Sequence, residues 1–361
     1  MSQTFLSAIG VPLTSVIVRS MGRPELDIAL NSIAQQSYPN IEVILVDVVG
    51  QNHPPLSEDS ARFPLHFFSM DKALGRSEAA NLGMSHARGE FLIFLDDDDY
   101  FAPHHIAKLI ETLMQNPDTH AAYAGVAVVD ATGTRVIGTI NEPFHRLQLL
   151  QKNYIPIHAV LFKRLLIEKG CRFDEQMLVY EDWDFWIQLS MHTQFIHLTT
   201  IGAYYRSLAT SSGAGAGVNT DEALKAAGGQ KILNKWQHVQ ASLADTIRTL
   251  LERGLQLQRN QDAATARHVY EEILSIQPDN VNALNLLGMI AYEDGQYEAA
   301  RSLIEKAARI NDQACGILLN LGLVLQALDR KQEAIECYRR VLVLDANHVQ
   351  AQKKLLELLH Q

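Results

Sequence analysis

The stretch Phe91-Leu-Ile-Phe-Leu-Asp-Asp-Asp-Asp-Tyr100 carries five apolar residues that run straight into four carboxylates. A short apolar run reads as a buried strand, and the acidic residues then sit at its carboxyl end. Four adjacent carboxylates repel one another: at about 4 Å each pair costs roughly 1 kcal/mol even in water, and more beside a buried strand. A compensating group is therefore expected. Asp96 and Asp98, as alternate residues, can both turn toward a divalent cation, which takes hard oxygen ligands and in turn bridges phosphates. The plainer reading is an exposed acidic turn that caps the next helix at Pro103.

Working outward, Thr14 to Val18 and Ile41 to Val46 are further apolar, β-branched runs, and Leu26, Ala29, Leu30 and Ile33 between them keep helical spacing. A second helical stretch, Ser77 to Ala87, precedes Phe91. This alternation predicts an α/β domain, a mostly parallel sheet covered by helices, with ligands at the carboxyl ends of the strands. Asp47 and the cluster Asp96 to Asp99 both fall at such ends.

The 361 residues point to roughly two domains at about 100–200 residues each. Hydrophobic residues at 47% and charged residues at 20% exclude disorder as the main state. A formal charge of −10 argues against holding nucleic acid or anionic lipid by bulk electrostatics, so an anionic ligand needs a local device. Cys171, Cys315 and Cys337 form no CxxC pair, which supports neither a disulfide framework nor a zinc ribbon. Met1 to Pro12 lacks a basic region followed by a long apolar run, and no transmembrane segment is evident. A cytoplasmic protein is expected, with peripheral membrane contact left open. The motifs GxxxxGK[ST], HExxH and GxSxG are absent, so phosphate-loop, zinc-protease and hydrolase readings have no support.

After Ser207 the composition shifts to small residues, among them Ser211, Gly213, Gly215, Gly217, Gly228 and Gly229. Residues 211–245 read as a loop or linker followed by a connecting helix from about Asp221, with a first domain over 1–210. Beyond it Gly254, Gly288 and Gly322 recur every 34 residues, and Ala266, Ala300 and Ala334 keep the same step. Small residues at that period let two antiparallel helices approach, with Leu287, Ala291, Ile304 and Ala307 as their apolar faces. The pattern resembles the tetratricopeptide repeat. It implies an all-α domain over 246–361, three repeats plus a capping helix from Val349, with a groove for a protein partner.

Ala87-Arg-Gly-Glu-Phe followed by Leu95-Asp-Asp-Asp-Asp99 resembles the DxD region of family 2 glycosyltransferases. Other blocks match in the same order: Ser15-Val-Ile-Val-Arg19, Ala29-Leu-Asn-Ser-Ile-Ala-Gln-Gln-Ser-Tyr-Pro39, Ile41-Glu-Val-Ile-Leu-Val-Asp47, Gly170-Cys-Arg-Phe-Asp-Glu175 and Glu181-Asp-Trp-Asp-Phe-Trp186. The resemblance implies a GT-A fold, Rossmann-like, that moves a hexosyl or N-acetylhexosaminyl group from a nucleotide-diphosphate sugar to an acceptor hydroxyl with inversion.

By the same resemblance, Asp98 would hold Mn2+ or Mg2+ against the diphosphate, and Asp96 would approach the ribose or the metal. Asp47 matches the acid that reads the base, although Val48 and Val49 stand where a second acid and a serine are usual. Arg19 and Arg76 are candidates for diphosphate or base contacts. Inversion in one displacement needs a base for the acceptor's proton, and the match assigns that role to Asp182. On a helix Asp182 shares a face with Trp186, whereas Glu181 and Asp184 point elsewhere. His158, Glu181 and Trp183 fall to the acceptor side; His197 could reach the metal or stand half-buried in a strand. The acceptor is a protein recruited by the repeats, or a lipid-linked or surface-polysaccharide glycan. A non-catalytic nucleotide-sugar scaffold is the reading from a different class.

Overall fold

The computed structural model describes residues 10–50, 53–56, 62–208 and 221–360. The chain forms two compact units, Met1–Trp236 and Gln237–Gln361. The first unit opens with β1 (Thr14–Ser20), α1 (Leu26–Ala34), β2 (Ile41–Asp47), β3 (Leu65–Phe68), α2 (Arg76–His86) and β4 (Phe91–Asp96). It continues with β5 (Tyr100–Phe101), α3 (His105–Gln115), β6 (Ala121–Val129), β7 (Val136–Ile140), α4 (Arg146–Leu149) and a 3₁₀ turn at Ile157–Ala159. Then follow β8 (Val160–Lys163), α5 (Leu165–Glu168), α6 (Glu181–Ser190) and β9 (Phe195–Arg206).

The strands lie in one mixed sheet in the order β3-β2-β1-β4-β8-β6-β9-β5, with β7 beside β6. Strands β1 and β2 are buried along their whole length, as continuous apolar runs must be when helices cover both faces. The half β3-β2-β1-β4 is parallel, as the alternation of elements predicts. In the other half β8 joins β4 and β6 antiparallel, while β9 runs parallel to β6. The chain leaves β1 toward β2 on one side and returns to β4 on the other, which opens a crevice at the carboxyl ends of β1 and β4.

Helix α1 buries Leu26, Ala29, Leu30 and Ile33, the spacing read from the sequence. The four-aspartate turn does not cap the helix that follows Pro103: α3 has His104 at its start, without a side-chain cap.

The division between the units falls inside a single helix, α7 (Glu222–Arg259), between Trp236 and Gln237. Of the small-residue stretch expected as a linker, residues 209–220 lie outside the described residues, and Gly228 and Gly229 are helical. The second unit adds α8 (Ala263–Ile276), α9 (Val281–Glu293), α10 (Tyr297–Ile310), α11 (Cys315–Ala327), α12 (Lys331–Leu344) and α13 (Val349–Leu359). Leu287, Ala291, Ile304 and Ala307 are buried between these helices.

The repeat is visible in the backbone as well. Gln261, Gly295 and Asp329, 34 residues apart, are all left-handed, with φ of 62°, 74° and 59°. Close approach explains the recurring glycines: a Cβ on Gly254 or Gly322 would lie 2.4 Å from the ring of Tyr270 or Tyr338, and one on Gly288 would lie 2.5 Å from Ile304. Among the described residues no helix is long and apolar enough to cross a membrane.

Candidate active site

The parallel register sets the site. Arg19 of β1 stands beside Asp96 of β4, and Ser20 beside Asp47 of β2. Arg19 donates from Nε and Nη2 to the two oxygens of Asp96 at 2.7 and 2.8 Å, and from Nη1 to Glu181 Oε1 at 3.1 Å. A guanidinium fork matched to a carboxylate is among the stronger polar contacts in proteins. Arg76 Nη1 lies 3.7 Å from the other oxygen of Glu181. The order Asp96, Arg19, Glu181, Arg76 therefore ties the end of β4 to the start of α6.

The four aspartates have four different environments. Asp97 turns back to accept from Met21 N and Arg23 Nη1, both at 2.6 Å, and so fixes the loop after β1. Asp99 accepts from Arg206 N at 2.9 Å, with His158 Nδ1 3.0 Å from its other oxygen. Asp98 has Arg23 Nη1 at 3.4 Å. Its carboxyl is pushed up to about 7 by burial first and by the charges of Asp99 and Asp96 next.

Carboxylate oxygens of Asp96, Asp98 and Asp99 lie within 4.8 Å of one another. Three hard oxygens around one under-compensated charge are a donor set that fits a divalent cation. Sequence reasoning missed Asp99. Its only signal was its place in the acidic run.

Asp182 sits in the first turn of α6 and is partly exposed. Its Oδ1 accepts from Asn153 Nδ2 at 3.1 Å and from its neighbour Trp183 N at 2.8 Å. Burial and the adjacent Glu181 charge push its carboxyl up to about 7, against the opposing pull of these two bonds and of Arg19. Asn153 was not legible as its partner.

The remaining candidate residues differ in exposure and partners. Arg19 is 6% exposed, and all three guanidinium nitrogens are engaged by Asp96 and Glu181, so it holds these acids in place. Arg76, at 32%, is the accessible arginine of the pair. Asp47 is fully buried and accepts from Val49 N at 2.8 Å and Ser69 Oγ at 2.7 Å, which leaves no exposed oxygen for a base.

Glu181 is likewise buried and pairs with Arg19 and Arg76. Trp183 is buried, bonds Leu149 O through Nε1 and meets the Tyr180 ring edge-on. His158 is buried beneath the aspartates; burial alone would lower its pKa, but Asp99, Asp96 and Asp98 raise it overall. His197 bonds Asn141 Oδ1 at 2.8 Å and stacks on Tyr123, as the strand reading has it.

A mixed α/β sheet with an acidic cluster at its switch point, followed by 34-residue helical repeats, defines an α/β domain with a candidate cation site joined to a helical repeat domain. Comparison gives the same class. The model of Glycosyl transferase family 2 matches residues 15–170, and tetratricopeptide repeat models match 251–314 and 316–348.

A glycosyltransferase of Haemophilus influenzae is 30% identical over 188 residues, 50% of this chain and 72% of that protein. The chain belongs to glycosyl transferase family 2. The glycosyltransferase YwdF of Bacillus subtilis is 26% identical over 180 residues, 48% of this chain and 66% of that protein. The chain thus spans just under two thirds of YwdF. Among solved structures, S. aureus TarS 1–349 in complex with UDP-GlcNAc matches with a TM-score of 0.44 and 15% identity, covering 91% of this chain and 90% of that one.

Proposed function

We propose that the first unit transfers a hexosyl or N-acetylhexosaminyl group from a nucleotide-diphosphate sugar to an acceptor hydroxyl, with inversion. The observation that carries this reading is the pair of acidic groups that Arg19 joins: the Asp96, Asp98 and Asp99 cluster after β4, and Glu181 with Asp182 at the start of α6. One suits the donor and the other the acceptor.

Asp98, Asp96 and Asp99 would hold Mn2+ or Mg2+, which supplies charge neutralisation of the diphosphate and of the leaving nucleotide. Arg76, held 3.7 Å from Glu181, would add a second positive group toward the diphosphate. Asp182 takes the proton of the attacking hydroxyl as the new bond to the anomeric carbon forms and the bond to the diphosphate breaks. With Oδ1 held by Asn153 and Trp183 N, Oδ2 is the oxygen that receives it. A carboxylate held near the working pH is the better base, since it is both ionised and basic there.

The repeats recruit the acceptor, and a polypeptide suits the groove such stacks form. A lipid-linked or surface glycan is the alternative acceptor. The scaffold reading draws on one observation, the buried Asp47 with valines after it. A screen of nucleotide sugars with Mn2+, read as nucleoside diphosphate release with and without EDTA, separates the readings. EDTA-sensitive release from one donor supports the transferase; binding without release from any donor supports the scaffold.

A further inference from the structure

We propose that the segment Gly228–Trp236 of α7 is a clamp that positions Asp182, so that the working catalytic unit extends to Trp236, well past the family's sequence blocks. The inference rests on Asp182 as the base. It starts from a weakness in α6: its first turn carries Asp182, yet the preceding Tyr180 is left-handed (φ 61°) and provides no side-chain cap. An uncapped first turn is the part of a helix that frays.

What holds this turn from the far side is Asp184. Two residues from Asp182 is about 200° around the helix, so the two acids face opposite ways. Asp184 is fully buried. Its Oδ1 accepts from Trp236 Nε1 at 2.8 Å, and its Oδ2 from Lys235 Nζ at 3.0 Å and Gln188 Nε2 at 2.8 Å. Lys235 also reaches Asp174 Oδ2 at 2.8 Å, and Lys231 reaches Gln176 O at 2.9 Å, both in the strand of chain that leads into α6.

The two glycines complete the clamp. Glycine is a poor residue for a helix interior, but a Cβ at Gly228 would lie 2.4 Å from Val179 Cγ2, and one at Gly229 would touch the Trp183 ring at 4.0 Å. Gly228 lets α7 close directly over the Val179-Tyr180 turn, while Gly229 would accept a side-chain carbon in ordinary contact. Trp236, Lys235 and Gly228 are thus positioning residues; none bonds Asp182 itself.

The test uses the full chain with Trp236→Phe, which removes the indole N–H and keeps a smaller aromatic ring, with Lys235→Met and with its conservative control Lys235→Arg. Kinetics with the donor found by the screen are joined to hydrogen exchange of the α6 amides. The clamp predicts that Trp236→Phe and Lys235→Met lower kcat about tenfold with donor KM within about twofold, since a misplaced base costs turnover and not donor binding. It also predicts faster exchange confined to α6, and recovery in Lys235→Arg.

Unchanged kcat, or KM rising as kcat falls, overturns it. Should Asp182→Asn prove fully active, the base reading fails on its own, and exchange in α6 then decides the clamp alone: protection equal to wild type in Trp236→Phe contradicts it.

Discussion

Arg19 lies across both oxygens of Asp96, at 2.7 and 2.8 Å, and reaches Glu181 with its third nitrogen at 3.1 Å. One cation therefore orients an acid of the cluster after β4 and an acid in the first turn of α6. Arg19→Met strips the partly exposed Asp96 of its guanidinium fork and leaves the buried Glu181 with Arg76 alone at 3.7 Å, and removing one partner of a buried pair costs up to about 3–5 kcal/mol. Urea unfolding is expected to show a loss in that range. Arg19→Lys should recover only part of it, because a point charge cannot span both oxygens. A loss under about 1 kcal/mol would mean the pair is no more than a surface contact.

For the acidic cluster, Asp98 is the diagnostic residue. Its carboxyl stands near 7 because burial, Asp99 and Asp96 all oppose its ionisation, so a cation and a proton compete for it. Mn2+ should stabilise the wild type by about 2.7 kcal/mol at roughly a hundredfold excess over Kd. The gain is expected to shrink as pH falls below 7 and to vanish in Asp98→Ala. Thermal melts with and without Mn2+ at several pH values read both effects. An equal Mn2+ shift in Asp98→Ala would remove this residue from the metal site.

In the repeats, one substitution should have opposite signs at two places on the same helix. Gly322→Ala drives a methyl to within 2.4 Å of the Tyr338 ring. Overpacking of this kind costs about 1–3 kcal/mol. Gly316→Ala, also in α11, meets nothing within 4 Å. There the gain in helix propensity should stabilise by up to about 1 kcal/mol. Chemical denaturation followed by circular dichroism distinguishes the two.

What could be read from the sequence was whatever has a short period. Strands β1, β2 and β4 and helix α1 announce themselves through local apolar spacing, and the repeats through a 34-residue step. Strands β5, two residues long, and β7, largely exposed, offer no such signal.

The site was legible as a set of acids but not as a set of roles. Arg19 and Asp96 are 77 residues apart, and only the register of β1 on β4 makes them neighbours. Asp182 and Asp184 look alike in the motif; the side of α6 on which each falls gives one to the site and the other to Lys235 and Trp236. His158 follows an apolar segment like a surface-lining residue, yet the fold places it under Asp99. Gly228 and Gly229 read as linker composition because their helix is dictated by what it packs on, not by their own propensity.

The central claim is that Asp182 removes the acceptor's proton while a separate acidic cluster holds the donor. Because its carboxyl is raised from 3.8 to about 7, the folded chain holds this proton through a window in which the unfolded chain has lost it. Stability from this group therefore falls as pH rises through the window, while the ionised, active base accumulates. The decisive measurement is transfer by Asp182→Asn beside donor affinity by calorimetry, across pH. The account predicts a wild-type acid limb near 7, a loss of about 10²–10⁴ in kcat/KM for Asp182→Asn, and a donor Kd within about twofold of wild type. Full transfer by Asp182→Asn, or loss of donor binding in step with transfer, would contradict it.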